Sequence, residues 1–477
     1  MMSEPGGKTS RPWEPQHYRQ EAHSPEGKLP EGDVVFFLLD TVPQLDLRRF
    51  YAPYERETRG APPYDPAMMV CLLLYAYCVG VCSSRKIALA CERNLAFLAI
   101  VGAERPDFRT ISDFRTLHLE VFKDVCVQVV RLASEAGRVK LGNVSTDGTK
   151  IQGNASRHKA MSYGSMKKEG ERLREDIEAL VTQAQQQDES DDATLGSRRG
   201  DELPAALTRR EDRLARLEAA RRRLEAQAQA DAEAERQRRA DAEAERRRTG
   251  KPRRGKGPHP VEESPSAKAQ SNLTEAERHI MRTNNKGWDS CGNAQVRVDE
   301  TCQIILSCDV TAASNDTQPA EPMAPATLAT LSQAGIERPR DATGATQAIA
   351  ATLDRGYDRE AAVAALETLG FDPSIAPGRQ RHHDCEAQVP EEPATAPARL
   401  AAKGRTPPGK ALYARRQVMV EPVFGQSKGV RGFRRFLLRG LTNIRGEWRL
   451  VCLTHNLLKM WRYGRVLSAA SALWRPI

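Results

Sequence analysis

Apolar positions recur at helical spacing in segments near 34–50, 66–80, 84–101 and 110–137, separated by PPYDP, SS and GAERPD, whose Pro, Ser and Asp are turn and N-cap chemistry. The pattern predicts an all-helical domain over residues 33–138. Ahead of it, residues 1–32 are rich in Pro, Gly, Glu and Arg with little to bury, which predicts a disordered lead-in. Inside the domain, SSRKIALACERN, a turn and RPDFRTISDFRTLH have the cadence of a helix-turn-helix, with Thr110 as N-cap of the second helix; a plain helical bundle fits the same spacing. On the first reading Arg109, Ser112, Asp113 and Arg115 stand near the start of a helix that reaches base edges. The uncharged run Met68–Val81 is too short to span a bilayer and reads as a buried helix, with Tyr75 and Tyr77 as core.

Beyond residue 140 the period changes. VSTDGTKI alternates and then meets Asp-Gly, which predicts a strand with Asp147 at its end, where the backbone turns. Residues 163–258 are dominated by Ala, Glu, Arg and Gln, with Leu207, Leu214, Leu217 and Leu224 at heptad-like spacing and a ten-residue repeat, ADAEAERQRR then ADAEAERRRT. They predict an inserted helical hairpin with a broken coiled-coil seam and a solvated charged face, closed by the basic linker GKPRRGKGPHP. Strands resume at Asn293: NAQVRVDE and CQIILSCDVT form a hairpin, and the second, being more apolar, is expected nearer the sheet centre. A helix near 322–334 follows. AIAATLDRGY then reads as a strand ending at Asp354, with a helix over 358–369, the strand FDPSIAPG, a polar loop over 381–409 and a basic helical tail over 411–465.

Charge is unevenly placed. The chain of 477 residues carries a net +9, yet residues 401–477 hold sixteen Lys and Arg against two acids, Glu421 and Glu447, so the preceding 400 residues are net acidic. Local basicity of this kind is the footprint of a polyanion partner. The ten cysteines are scattered, mostly in apolar runs and without a CxxC pair, as in buried thiols of a reducing cytoplasm. His382, His383 and Cys385 lack a second half with zinc spacing and read as a polar loop.

Three acids draw the chemistry together. Glu421 is the only carboxylate between Arg415 and Arg439, followed by Lys428, Arg431, Arg434, Arg435 and Arg439, so cations would hold phosphates while the acid holds a metal. Asp147 and Asp354 close the two upstream strands. If those strands are adjacent, the carboxylates emerge at one edge and suit hard cations: two Mg2+ (or Mn2+) ions supporting an in-line displacement at phosphorus. Glu421 and Lys428, seven residues apart, share a helical face, with Tyr413 and Arg416 about two turns earlier. Pro422 makes Glu421 an N-cap or else kinks the helix.

The motifs PPYDPAMMVCLLLYAYCVGVCSSRKI, STDGTKIQGNAS, NLTEAERHIMR, DRGYDREAAVAALETLGFDPSIAPGRQRHH and VEPVFGQSKGVRGFRRFLLRGLTNIRGEWRLVCLTHNLLKM resemble DDE-type bacterial insertion-sequence transposases. The resemblance covers roughly residues 33–160 and 271–465. It implies an α+β multidomain protein: a helical, helix-turn-helix-like DNA-binding domain (33–138), an RNase H-like α/β catalytic domain (139–160 and 271–465), a charged helical insertion and linker (161–270), and a tail (466–477). It implies Asp147, Asp354 and Glu421 as the catalytic, metal-binding triad, with Tyr413, Arg416 and Lys428 as companions of the Glu. Arg416 stands one residue farther from Glu421 than the usual signature has it, so Arg415, Arg416 and Gln417 compete for that role; Gly292 replaces a common aromatic and Ser427 a common apolar residue. The implied activity is binding of terminal inverted repeats, cleavage and strand transfer into target DNA by a dimer or larger assembly of a cytoplasmic, nucleoid-associated protein without membrane contact. The alternatives are a catalytically silent, element-derived DNA-binding repressor and an RNase H-like nuclease.

Overall fold

The computed structural model describes residues 26–55, 62–102, 104–154, 160–195, 205–250, 260–273, 280–282, 288–312, 320–354, 360–375 and 396–470. The lead-in up to residue 25, the His382, His383 and Cys385 group and most of the GKPRRGKGPHP run lie outside the described residues.

Among the described residues seven α-helices precede the sheet: α1 (Val34–Thr41), α2 (Arg48–Tyr51), α3 (Pro66–Cys78), α4 (Ser84–Arg93), α5 (Leu95–Val101), α6 (Phe108–His118) and α7 (Phe122–Glu135). Short polar side chains cap four of them. Asp33, Asp65, Asn94 and Asp107 each accept hydrogen bonds from backbone N–H groups of the first turn, and Pro66 sits at the first position of α3. The cap of α6 is therefore Asp107 and not Thr110, because the Asp107 carboxylate reaches the amides of Arg109 at 2.6 Å and Thr110 at 2.9 Å. The expected turn between the two motif helices is also longer than predicted. Asn94 ends α4 and starts α5, whose LAFLAIV buries Ala96, Phe97, Ile100 and Val101, so a whole helix separates α4 from α6.

A mixed six-stranded sheet follows, built from β1 (Asn143–Gln152), β4 (Ile280–Arg282), β5 (Trp288–Asp299), β6 (Ile305–Thr311), β7 (Ile349–Leu353) and β8 (Phe371–Ile375), in the order β4-β5-β1-β7-β8 with β6 also on β5. β5 is antiparallel to β1 and β6, whereas β1, β7 and β8 run parallel. β5 is thus the interior strand of its hairpin, contrary to the expectation from apolar content. β6 is apolar because helices cover it: α10 (Ala320–Gln333) and the long α14 (Leu441–Ala470) pack there. Asn456 of α14 both donates to and accepts from the Ile305 backbone, at 2.9 and 2.8 Å, closing the start of β6.

β1 also departs from expectation at its Asp-Gly. The backbone does not turn there; β1 continues to Gln152 against β5, while β7 stops opposite Thr146. α11 (Glu360–Thr368) and α12 (Ala396–Arg405) complete the cover of β8. The insertion forms a two-stranded ribbon, β2 (Ala160–Ser162) with β3 (Gln270–Asn272), bearing helices α8 (Tyr163–Leu195) and α9 (Ala205–Thr249). Met166, Leu173, Leu214, Leu217 and Ala220 pack between these helices, flanked by the Arg174–Glu218 and Arg213–Glu169 ion pairs.

The basic tail is two helices, not one. α13 (Pro407–Gly425) starts at Thr406, a π-helical turn spans Gln426–Val430, and α14 begins only at Leu441. Pro422 lies inside α13, so neither the N-cap reading of Glu421 nor a break is needed. Proline has no N–H for the carbonyl four residues back, and the Gln303 side chain supplies the missing donor, its amide meeting Val418 O at 2.7 Å. α14 is no surface tail either. Ile444, Trp448, Leu450, Val451, Leu453 and Leu457 are at most 1% exposed and join one core with α1–α7, β1, β5, β6 and α13. Gly80, with φ +80°, ends α3 against this unit: a Cβ there would stand 2.5 Å from Arg431 O.

Two outcomes follow. Gln303→Ala leaves the Val418 carbonyl without its partner and lowers stability by about 1 kcal/mol, read from urea denaturation. Burial among Phe50, Phe114 and Tyr54 pushes the His118 imidazole down to about 4. The native chain then keeps His118 neutral while the unfolded chain takes up a proton below its ordinary value, so stability is complete above about pH 6.5 and falls toward pH 4. His118→Phe flattens that window in denaturation midpoints measured across it.

Candidate active site

β1 and β7 are parallel neighbours with Thr146 opposite Leu353, so Asp147 and Asp354 are the next residues of the two chains at one sheet edge. Thr352 and Ser145, one step earlier on that face, are in contact, the Ser145 hydroxyl donating to Thr352 O at 3.5 Å. The period of two puts both carboxylates on the face that α13 covers. α13 is held there by Met419, Val420 and Val423, all within 2% exposure, and by Asn143, whose amide meets the Met419 sulfur at 3.5 Å.

From this helix Arg416 reaches down, its Nη2 lying 2.9 Å from Asp147 Oδ2. The competition among three neighbours is decided by helical phase. Arg415 turns away to Glu300 at 3.1 Å, and Gln417 is exposed. One turn earlier Tyr413 meets the same guanidinium; burial raises the Tyr413 phenol above its ordinary range, Arg416 opposes that, and the carboxylates of Asp354 and Asp147 add to it.

Lys428 anchors the other end. Its ammonium donates to Thr149 Oγ1 and Lys150 O of β1, and burial holds the amine below its ordinary value. The π-helical turn breaks the simple seven-residue register with Glu421, so the two do not share a uniform face. Glu421 is exposed and makes no hydrogen bond or ion pair among the described residues. Five residues beyond Arg416, it stands roughly 140° around the helix from the Asp147-facing side. Two of the three predicted acids are thus brought together and the third lies on the flanking helix. Among the described residues no group of three His, Cys, Asp or Glu side chains is placed to hold a metal.

The cations separate into two sets. Arg115 and Arg431 are corrected from DNA contacts to internal ties. Arg115 is 3% exposed and donates to Tyr77 Oη at 3.2 Å and Cys82 O at 2.8 Å; Arg431 is 5% exposed and donates to Val451 O, Thr454 Oγ1 and Ser427 Oγ. Arg434 and Arg435 are exposed, each tethered through Nε to Lys428 O and Gly153 O, and Arg109 is exposed at the first turn of α6, with Ser112 half-buried one turn on. Beside it Phe108 carries Arg85 at 5.0 Å and Arg109 at 5.7 Å from its ring centre.

Sequence reasoning passed over Glu447. It is wholly buried and accepts from the amides of Leu437 and Leu438 at 3.0 to 3.2 Å, shaping the loop that bears Arg434, Arg435 and Arg439. Its rarity was the available signal, as one of two acids in the basic end. The two departures from the signature also find reasons: Val310 and Phe436 fill the space a side chain at Gly292 would take, 2.9 and 3.2 Å from a Cβ, and Ser427 accepts from Arg431.

Residues 23–117 match the family described as "Transposase domain (DUF772)", and residues 379–461 match the family described as "Transposase DDE domain". The second match includes Tyr413, Arg416, Glu421 and Lys428; Asp147 and Asp354 lie outside both. No curated protein and no solved structure matches the chain.

A side chain at Gly148 would collide with the Gln295 amide and stand 2.8 Å from Asn293 Oδ1. Gly148→Ala is expected to cost about 1–3 kcal/mol through overpacking beside Asp147, read as a lowered denaturation midpoint.

Proposed function

We propose that this chain, a DDE-type insertion-sequence transposase by its two family matches and its motifs, binds the terminal inverted repeats of its element and transfers their 3′ ends to target DNA by in-line displacement at phosphorus. The observation that carries the reading is the placement of Asp147, midway along β1, beside Asp354, which follows the end of the parallel strand β7, under the helix that bears Tyr413, Arg416 and Glu421. The strand order, with β5 reversed beside three parallel strands, supports an RNase H-like catalytic unit formed by residues 139–160 and 271–465.

The donor chemistry fits a hard divalent cation. Asp147 and Asp354 offer carboxylate oxygens side by side with no soft ligand beside them; Glu421, which faces about 140° away from them on α13, is the third ligand by its motif and would have to turn toward them. Bound there, Mg2+ or Mn2+, two ions in this reading, would sharpen the attacking oxygen and offset charge on the leaving one. The chain's own residues do the rest. Lys428 spends two of its three N–H donors on β1, fixing the strand that carries Asp147, and keeps one for a phosphate. Arg434 and Arg435, anchored through Nε, present their terminal nitrogens to the DNA backbone.

At the amino end, Arg109, Ser112 and the Phe108 ring with its two arginines form the DNA-facing start of α6 within a helical domain over 33–138. Pairing two element ends calls for a homodimer or larger assembly on double-stranded DNA. Among the described residues no helix is long and apolar enough to cross a membrane.

Strand transfer in Mg2+ tests the proposal, with joined products resolved on a gel. Asp147→Asn, Asp354→Asn and Glu421→Gln should each cut joining by more than about a hundredfold, since even outer supports of a metal site are worth 10–100-fold, while end binding is retained and falls steeply with salt. Cleavage without joined products would make the chain a nuclease. End binding without any chemistry, equal in all four proteins, would make it a silent repressor.

A further inference from the structure

We infer that Arg416 gates cation binding: in the free protein its guanidinium occupies the Asp147 carboxylate, and a DNA phosphate draws it away. The inference rests on the reading of Asp147 as a cation ligand given above.

The pair is short and shielded. Arg416 Nη2 and Asp147 Oδ2 are 2.9 Å apart, with side chains 10% and 20% exposed, so salt and water weaken the attraction little. A carboxylate held by a guanidinium is a poor ligand, because a cation must first displace one positive charge or tolerate it alongside. Displacement needs another anion for the arginine. Arg416 is prepared for one: its Nε is buried and makes no hydrogen bond among the described residues, leaving a donor beside the Asp147-bound nitrogen. A phosphate offers adjacent oxygens that match the planar fork, which a lysine could not satisfy in the same way.

The swing requires no movement of the helix. Met419, Val420 and Val423 lock α13 into the core and Gln303 ties it at Val418, so the backbone of Arg416 is fixed while its side chain rotates. Arg415 cannot substitute, being engaged with Glu300. Tyr413, against the same guanidinium, gives the phosphate a second partner on release. A consequence follows from linkage: DNA and the cation must each tighten the other's binding by the same factor. The site is then loaded where DNA is present and stays closed elsewhere.

Mn2+ serves as the probe, with the free ion counted by electron paramagnetic resonance in titrations of the full chain, alone and with a short blunt duplex at low salt. Wild type should bind Mn2+ at least about tenfold more tightly with the duplex, within the usual span of coupling between sites. Arg416→Gln should bind Mn2+ without DNA as tightly as wild type does with it, and gain little from the duplex. Thermal melts establish that the variant is folded; should it not be, Arg416→Lys is read in its place, a partial gain supporting the gate and no gain overturning it. If Arg416→Gln binds Mn2+ no better than wild type while Asp147→Asn loses the ion, the gate is wrong and the site stands. If Asp147→Asn leaves Mn2+ binding untouched, the site reading itself has failed.

Discussion

Burial of the middle of α14, Leu450–Leu458, on all sides is the constraint from which the other placements descend. Its Trp448 indole donates to Gln295 O of β5, its Asn456 brackets the Ile305 backbone, and its Thr454 and Val451 receive Arg431. A helix that touches the sheet on one flank and α3 and α7 on the other joins the two parts in one core, while a second core gathers around Val144, Leu306, Ile349 and Phe371 of the sheet. The amino-terminal helices and the strand bearing Asp147 therefore share their apolar packing, and a disturbance in one is felt in the other.

That shared core also fixes where cations can act. A guanidinium has five donors and no acceptor, so it satisfies inward-facing carbonyls as readily as outward phosphates. Arg115 and Arg431 do the former and hold α3, α6 and α14 together. Arg434 and Arg435 use one donor each on backbone and leave their outer faces to solvent. The wholly buried Glu447 shapes the intervening loop through its amides, so the one acid in the middle of the basic end works for the arginines around it.

The site obeys a similar division. β7 ends where β1 continues, which opens a notch at Asp147 and Asp354 that no longer has a strand on one side. α13 lies over its face, and its passage through Pro422 depends on a glutamine from the β5–β6 turn. Gln303 adopts φ +59°, a conformation that costs energy for a side chain of its size, and its carbonyl and side-chain oxygen also engage His455 and Lys459. Three contacts with α13 and α14 offset the strain of that one residue.

Local chemistry alone was enough for much of this. Periodicity identified four helical stretches in the first 140 residues, though not their division into seven helices, and the α8–α9 hairpin; alternation found β1, β5, β6, β7 and β8, because each is written in neighbouring residues. Tertiary structure decided that β5 lies inside β6, that β1 runs straight through Asp-Gly, that α13 survives its proline and that Arg416, not Arg415 or Gln417, meets Asp147. The physical reason is separation along the chain: Arg416 and Asp147, Gln303 and Val418, or Asn456 and Ile305 are joined only when strands and helices more than a hundred residues apart stack, and no local preference encodes which partner arrives.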